Sequence, residues 1–230
     1  MKGLLLGLGI IAAGLMVAVP PAQADSFDFT SCHLTGGCGT ATSFGTVTLT
    51  QSGTSVLFDV VLTPGNLFVE TGAGGDSLFL FNDSLSGSTI TNITATLDGT
   101  TVTIPGGLSG LTNQSPIHAD GTGFFTAQVF CTTASSCNGA SGVDANDLHF
   151  TVTNATLAQL ETANAAGNLF VSDILCGQTG CGGLTGPVDA HDGGGTGGSL
   201  IPEPATLLLL GSGLFGLGLA GRVRDRLRKK

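Results

Sequence analysis

The chain has 230 residues and a formal net charge of −9 at pH 7, with 16 acidic and seven basic residues. No Lys or Arg lies between residues 25 and 200, whereas all but two of the acidic residues lie there. Because a segment without cations cannot neutralise phosphates, nucleic acids and anionic lipid surfaces are excluded as direct partners of this segment.

The first 24 residues have the organisation of a signal peptide. One positive charge at Lys2 is followed by an uncharged apolar run over residues 4–19, and the small-x-small pattern of Ala22 and Ala24 suits signal peptidase. We therefore expect export, with cleavage between Ala24 and Asp25. The alternative, an uncleaved membrane anchor, is disfavoured by this cleavage site and by the two prolines before it.

Residues 25–189 are expected to form the exported body, and two of its segments are typical of β-hairpins. TVTLTQSGTSVLFDV alternates polar and apolar residues around a two-residue turn at Ser52-Gly53, and ITATLDGTTVTI does so around Asp98-Gly99. In both hairpins the predicted register places apolar residues on one face and threonines on the other. The predicted apolar pairs are Leu49 with Val56 and Val47 with Phe58 in the first hairpin, and Ala95 with Val102 and Ile93 with Ile104 in the second.

Four further segments predict strands, and one predicts a short helix. The strands are expected over residues 77–82, 123–131, 147–154 and 168–175. The helix is expected to begin at Leu157, with Thr156 and Gln159 set as a capping box. The pentapeptide GNLFV occurs at 65–69 and again at 167–171, a short echo between two strands. Many short strands separated by turn signals predict a single all-β domain, an antiparallel β-sandwich or jelly-roll-like fold.

The six cysteines fall into three pairs that are close in sequence. Six cysteines allow fifteen connectivities, but an even number in an exported chain favours disulfides, and we expect sequence neighbours to pair. The alternative, a zinc site, needs ligand spacings that these gaps do not match. The expected pairs are Cys32 with Cys38, Cys131 with Cys137, and Cys176 with Cys181.

The C-terminal 30 residues follow a Gly-rich linker at 190–200 and have three parts. Pro202 and Pro204 restrict the backbone around Glu203 to an extended conformation. The uncharged span over residues 205–221 would reach about 25 Å as a single hydrophobic helix, slightly less than the roughly 30 Å core of a bilayer. Six basic residues and one aspartate follow within residues 222–230, and the positive-inside tendency retains them on the cytoplasmic side.

This order of parts, over residues 201–230, resembles the PEP-CTERM sorting signal of exported bacterial proteins, with Ile201 where that family usually has Val. The resemblance implies that a membrane transpeptidase of the exosortase type recognises Pro202, Glu203 and Pro204, in bacteria that make exopolysaccharide. It also implies a transient inner-membrane anchor at 205–221, C-terminal processing, and a final location at the cell surface or in the extracellular matrix of a biofilm.

A GDSL tetrapeptide at residues 75–78 matches the nucleophile block of GDSL-type esterases and lipases. In those enzymes a histidine, commonly within an Asp-x-x-His sequence, accepts the proton of the serine. None of the four histidines of this chain follows an aspartate at that spacing. A secreted hydrolase that uses Ser77 is therefore kept as the alternative hypothesis, and no catalytic residue is assigned.

Two binding functions remain as further alternatives. Polysaccharide-binding modules commonly stack sugar rings on Trp or Tyr, and this chain has neither residue. Calcium would suit loop carboxylates at Asp76, at Asp120 and from Asp144 to Asp147, but turn and solvating roles are the favoured interpretation, and no metal or cofactor is assigned. We expect a non-enzymatic exported protein with a structural or adhesive role in a polysaccharide matrix.

Overall fold

The computed structural model describes residues 23–138 and 143–192. Most of the predicted signal peptide, the Gly-rich linker after residue 192 and the whole sorting segment lie outside these ranges. Within them the chain forms two large β-sheets that enclose a common apolar core, which confirms the predicted all-β sandwich. None of the helices in these two ranges has the length and apolar character needed to cross a membrane.

Fifteen strands, numbered β1 to β15 in chain order, lie in the described part of the chain. Their bounds are β1 Ala24–Phe29, β2 Ser31–Cys32, β3 Gly45–Ser52, β4 Ser55–Leu62, β5 Leu67–Phe68, β6 Phe79–Phe81, β7 Thr89–Leu97, β8 Thr100–Val102, β9 Leu108–Leu111, β10 Ile117–Ala119, β11 Gly123–Phe125, β12 Ala127–Cys131, β13 Asp147–Thr153, β14 Asn168–Leu175 and β15 Thr185–His191. Helix α1 spans Leu157–Leu160, and 3-10 turns span Gly72–Gly74 and Ala134–Ser136.

The fifteen strands form two large sheets and one small two-stranded ribbon. The first sheet has the spatial order β1-β3-β4-β13-β7-β8. The second has the order β2-β15-β14-β6-β12-β9, and β5 also pairs with β14. A separate ribbon consists of β10 and β11. Every ladder between these strands is antiparallel.

Phenylalanine rings from both sheets meet at the centre of the core. Phe58 on β4 stacks on Phe150 of the same sheet, with ring centroids 4.6 Å apart. It also contacts three rings of the second sheet: Phe79, Phe81 and Phe170. Because β4 alternates buried and exposed positions along its length, one face supplies the core and the other faces solvent. Each fully buried aliphatic or aromatic side chain contributes roughly 1.5–3 kcal/mol.

The first predicted hairpin forms, but the predicted register is wrong. The loop residues are Gly53 and Thr54, so Ser52 pairs with Ser55 and Leu49 pairs with Phe58 rather than with Val56. Gly53 has φ +60° and takes the first central position of the turn, where the predicted loop would have placed Ser52. A shift of two residues leaves every side chain on its predicted face, so the hydrophobic pattern alone could not detect it.

The second predicted hairpin forms with the predicted turn. Asp98 and Gly99 have φ values of +48° and +77°, as a two-residue type I′ loop requires. Ala95 pairs with Val102, as expected. Strand β8 ends at Val102, so the predicted pair of Ile93 with Ile104 lies beyond the ladder.

The predicted strand over residues 123–131 is divided into two strands that belong to different sheets. β11 pairs with β10, whereas β12 pairs with β6 and β9 of the second sheet. The β10–β11 ribbon packs on the outer face of the second sheet through a small cluster of buried side chains. These are Leu80, Ala119, Phe125 and Val171. Phe125 and Val129 are both fully buried, but Phe125 belongs to this small cluster, whereas Val129 belongs to the main core between the two sheets.

The repeated pentapeptide corresponds to a repeated local structure. Both copies begin with a glycine at positive φ, Gly65 at +94° and Gly167 at +87°. In each copy the following asparagine is buried, and its amide nitrogen donates to a distant carbonyl: Asn66 to Phe44 and Asn168 to Thr122. The two copies run into β5 and β14, which pair with each other.

The remaining predicted elements also form. The strand predicted over residues 168–175 is β14, and α1 begins at Leu157 with the expected capping box of Thr156 and Gln159. The cysteines are joined as sequence neighbours, with Cα–Cα distances of 6.2, 6.3 and 5.7 Å along the chain. On the chain-entropy account each such short loop contributes about 2 kcal/mol.

Candidate functional site

Ser77 of the GDSL tetrapeptide is buried. Its hydroxyl donates to Gln128 Oε1 at 2.7 Å and lies 3.2 Å from the carbonyl oxygen of Gly75, and the residue as a whole is only 1% exposed. Asp76, the residue before it, adopts φ +56°, so the tetrapeptide is a tight turn between a 3-10 turn and β6. In this position the hydroxyl is engaged by an amide oxygen, which does not act as a general base.

The four histidines lie beside aspartates rather than beside Ser77. Nitrogen–oxygen distances in these His–Asp pairs run from 3.0 to 3.6 Å. The pairs are His149 with Asp59, His118 with Asp120, His33 with Asp189, and His191 with Asp189. In the first two pairs the carboxylate is half or more exposed, whereas Asp189 is fully buried.

Asp173 is a buried carboxyl group on the outer face of β14. Its Oδ2 accepts hydrogen bonds from the backbone N–H and the hydroxyl of Thr71, at 2.7 and 2.6 Å. Its Oδ1 is buried without a hydrogen-bond partner among the described residues. Burial raises the pKa of Asp173 to about 7, against the lowering effect of the hydrogen bonds from Thr71 and Gly74, because a carboxylate loses its hydration there.

Glu70 is a second buried acid, close to the disulfide between Cys131 and Cys137. Its Oε1 accepts from the backbone N–H of Cys131, and its own N–H donates to the Cys137 carbonyl at 2.8 Å. Burial raises the pKa of Glu70. Together with the two sulfur atoms it forms a compact group of potential metal donors. The sulfurs are bonded to each other, however, and a disulfide does not supply the thiolates that zinc binds.

The loop carboxylates considered for calcium do not form one donor group, although the loops of Asp76 and Asp120 are neighbours, since the N–H of Asp120 donates to the Ala73 carbonyl at 2.7 Å. Asp147 accepts a hydrogen bond from Thr96, 2.8 Å from its Oδ2, and Asp120 lies beside His118. Asp76 and Asp144 occupy turns at positive φ. Within the described ranges, none of these four belongs to a compact group of three potential metal donors.

A shallow groove of about 350 Å³ lies on the outer face of the first sheet. Asp59 on β4 and His149 on β13 are directly opposite each other in the ladder and form the polar part of the groove. Asp59 Oδ1 lies 3.0 Å from His149 Nδ1. Leu57, which is 44% exposed, forms an apolar part. The ladder between β13 and β7 shifts register beside His149, and Asn92, at φ +54°, borders the groove there. The register shift therefore places Asn92 at the edge of the groove.

The C-terminal segment provides the decisive comparison. Residues 200–224 match the PEP-CTERM protein-sorting motif. The chain carries a PEP-CTERM sorting motif. No curated protein and no solved structure matches the chain.

The PEP-CTERM motif makes this an exported protein that passes through a membrane, and it implies processing by an exosortase, a membrane enzyme. Pro202, Glu203 and Pro204 lie within the matched residues but outside the described ones. At the other end, Ala24 and Asp25 are the first residues of β1, where they pair with Thr50 and Leu49. Cleavage at the predicted position would leave Asp25 as the first residue of an edge strand.

Sequence reasoning missed two of the buried acidic groups in the described ranges, Asp173 and Asp189, and the histidine beside the second, His191. Asp173 lies in a predicted strand, but nothing in the local pattern marks its side chain as buried. Asp189 and His191 belong to β15, which was not predicted because Gly186 and Pro187 are both unfavourable inside a strand. The signal that was present is the spacing of two, which places Asp189 and His191 on one face if the segment is extended.

Proposed function

We propose that this is a non-enzymatic exported protein that an exosortase-type enzyme processes at its C-terminus, and that the released body has a structural or adhesive role in a polysaccharide matrix at the cell surface. The observation that carries the proposal is the PEP-CTERM motif at residues 200–224, which follows the β-sandwich in the chain. The motif directs the sorting of the protein, and the β-sandwich is the part that carries out its role after processing.

Two properties of the sandwich suit a matrix location. Three disulfides join neighbouring segments of the loops and strands, and an oxidising environment outside the cytoplasm preserves them. The surface is acidic and has no Lys or Arg between residues 25 and 200, so the domain is kept soluble by charge repulsion and does not bind polyanions. Neutral polysaccharide, rather than an acidic polymer, is therefore the proposed partner.

The groove on the first sheet is the proposed adhesive surface. A hydroxylated sugar requires donors and acceptors at fixed positions beside a small apolar area. Asn92, Asp59 and His149 offer an amide, a carboxylate and an imidazole, and Leu57 offers the apolar area. The shallow open shape suits a polymer that passes across the sheet rather than a small molecule that is enclosed.

The alternative, a hydrolase that uses Ser77, is disfavoured by the surroundings of that serine. Its hydroxyl is buried and donates to Gln128, and a nucleophile needs both access to substrate and a base that removes its proton. We expect Ser77→Ala to leave any ester hydrolysis by the purified protein unchanged. A loss of hydrolysis in this variant would instead favour the enzyme.

The sorting part of the proposal is tested by C-terminal mass spectrometry. Wild-type protein recovered from the cell surface should lack residues 205–230. Replacement of both Pro202 and Pro204 by Ala should let a helix extend upstream across the motif, so full-length protein should accumulate in the inner-membrane fraction. Pro64→Ala, in an exposed turn of the body, is the matched control and should be processed normally. Mature wild-type protein that still ends in Lys230 would refute C-terminal processing.

The adhesive part is tested separately, by co-sedimentation with the neutral exopolysaccharide of the producing bacterium. Loss of one hydrogen-bonding group is worth about 1 kcal/mol, so Asp59→Ala or His149→Ala should each weaken binding about fivefold. The exposed pair of His118 and Asp120 supplies matched controls, because alanine at either position leaves the groove intact. Equal binding by wild type and the groove variants would remove the groove from the proposal but leave the sorting result unaffected.

A further inference from the structure

Asp189 is a fully buried carboxyl group between two imidazoles. Its Oδ2 lies 3.5 Å from His33 Nε2 and 3.6 Å from His191 Nε2. Neither of its oxygens has a hydrogen-bond partner among the described residues. The two histidines are partly exposed, at 32% and 47% of their side chains, so the cluster runs from solvent into the protein.

The fold brings the three side chains to one face of the second sheet. Val188 and Ala190 of β15 point into the core, so Asp189 and His191, which alternate with them, point outward. β2 pairs with β15 so that Cys32 is opposite Val188, and the N–H of the next residue, His33, donates to the Pro187 carbonyl at 2.8 Å. His33 is therefore on the same outward face, diagonal to Asp189.

The loop between β10 and β11 fixes the first imidazole. A Cβ at Gly121 would overlap the ring of His33, so only glycine lets the loop lie against it. Gly121 also has φ +77°, which side chains rarely adopt. The loop contacts the Nδ1 edge of His33 and leaves Nε2 directed at Asp189.

A buried carboxylate with two unsatisfied oxygens requires a cation or a proton. Arg and Lys, the usual partners, do not occur between residues 25 and 200. The surroundings offer two imidazole nitrogens instead, and two imidazoles with one carboxylate form a donor set that suits zinc and its neighbours in the first transition row. Calcium and magnesium prefer sets made only of oxygen, so they do not match this cluster.

We propose that His33, Asp189 and His191 bind one divalent transition-metal ion of the zinc class. The ion replaces the missing counter-charge of Asp189 and joins β2 to β15, the last strand before the linker that leads to the sorting motif. Each Nε2 atom lies within 3.6 Å of Oδ2, but the two Nε2 atoms are more than 4.8 Å from each other, so the exposed ring of His191 must turn toward the ion to complete the site. Three protein ligands leave the remaining position to water on the solvent side.

The test uses full-length oxidised protein and ZnCl2 alone, with calorimetric titration and the thermal midpoint as readouts. Wild type should bind one Zn²⁺ per chain and become more thermostable. His33→Ala, His191→Ala and Asp189→Asn should each weaken the affinity at least about tenfold, the scale on which supporting residues alone affect metal sites. CaCl2 at the same concentration should neither bind there nor compete.

The other two histidines are matched controls, since each also lies beside an aspartate but without a buried, unsatisfied carboxyl group. His118→Ala and His149→Ala should keep the wild-type Zn²⁺ affinity. The site is refuted if these controls lose as much affinity as His33→Ala, if Asp189→Asn binds as wild type does, or if wild type takes up no Zn²⁺. Should Asp189→Asn fail to fold, the two histidine variants, which change partly exposed rings, decide the outcome.

Discussion

Replacement of Asp173 by Asn should change how the stability of the sandwich depends on pH. Burial raises the pKa of this carboxyl group from an ordinary value of 3.8 to about 7 in the folded protein. Below about pH 4 both the folded and the unfolded chain hold the proton. Between about pH 4 and pH 7 only the folded chain holds it, so the free energy of unfolding falls as pH rises.

The size of the effect follows from that interval. At 1.36 kcal/mol for each pH unit, wild type should lose up to roughly 4 kcal/mol of stability between pH 4 and pH 7 through Asp173. An asparagine at this position keeps an oxygen for the two hydrogen bonds from Thr71 but cannot ionise. Its amide NH₂ has no acceptor where Oδ1 now lies, which costs about 1–3 kcal/mol at every pH.

The diagnostic quantity is therefore the difference between the unfolding free energies of variant and wild type, measured at pH 5 and at pH 8. Asp173→Asn should be less stable than wild type at pH 5. Between pH 5 and pH 8 its unfolding free energy should rise by about 2–4 kcal/mol relative to that of wild type. Urea unfolding followed by circular dichroism suits this chain, which has no Trp or Tyr for fluorescence. The pKa of Glu161 is also raised to about 7, first by burial and then by the charge of Asp25. Because Glu161 contributes equally to the pH dependence of the unfolding free energy in variant and wild type, its contribution cancels when the two are subtracted.

An exposed carboxylate in a turn provides the control. Asp144→Asn preserves a residue type that tolerates the positive φ of that position, and it should follow the wild-type profile. If the difference between Asp173→Asn and wild type is the same at pH 5 and pH 8, the argument from burial is wrong.

Three further predictions concern the core, the disulfides and the charge distribution. Phe58→Ala should destabilise the sandwich by about 3–5 kcal/mol in urea, because the ring contacts Phe150 and three rings of the other sheet, whereas Leu57→Ala, at an exposed position, should cost much less. Alkylation of the exported protein under denaturing, non-reducing conditions should add no mass, because all six cysteines are paired; two or more adducts would refute the pairing. Trypsin should produce no cleavage within residues 25–221 even after denaturation and reduction, and an internal fragment would show that the chain has been misread.

The sequence by itself determined those features that depend on neighbouring residues. Alternation identified β4, Asp98-Gly99 specified its own turn, and an even number of cysteines in an exported chain favoured disulfides between sequence neighbours. The C-terminal motif was also recognisable because its parts, two prolines, an apolar span and a basic tail, act in linear order.

Only the tertiary structure decided what depends on residues distant in sequence. A register shift of two at Ser52 leaves the pattern of faces unchanged, and the division after Phe125 follows from a second apolar cluster that no local window contains. The burial of Ser77 and the meeting of His33 with Asp189 arise in the same way, since their partners, Gln128 on β12 and Asp189 on β15, are more than 50 positions away in the chain. Side-chain patterns encode which face is apolar, but the partner of that face is chosen by packing of the whole chain.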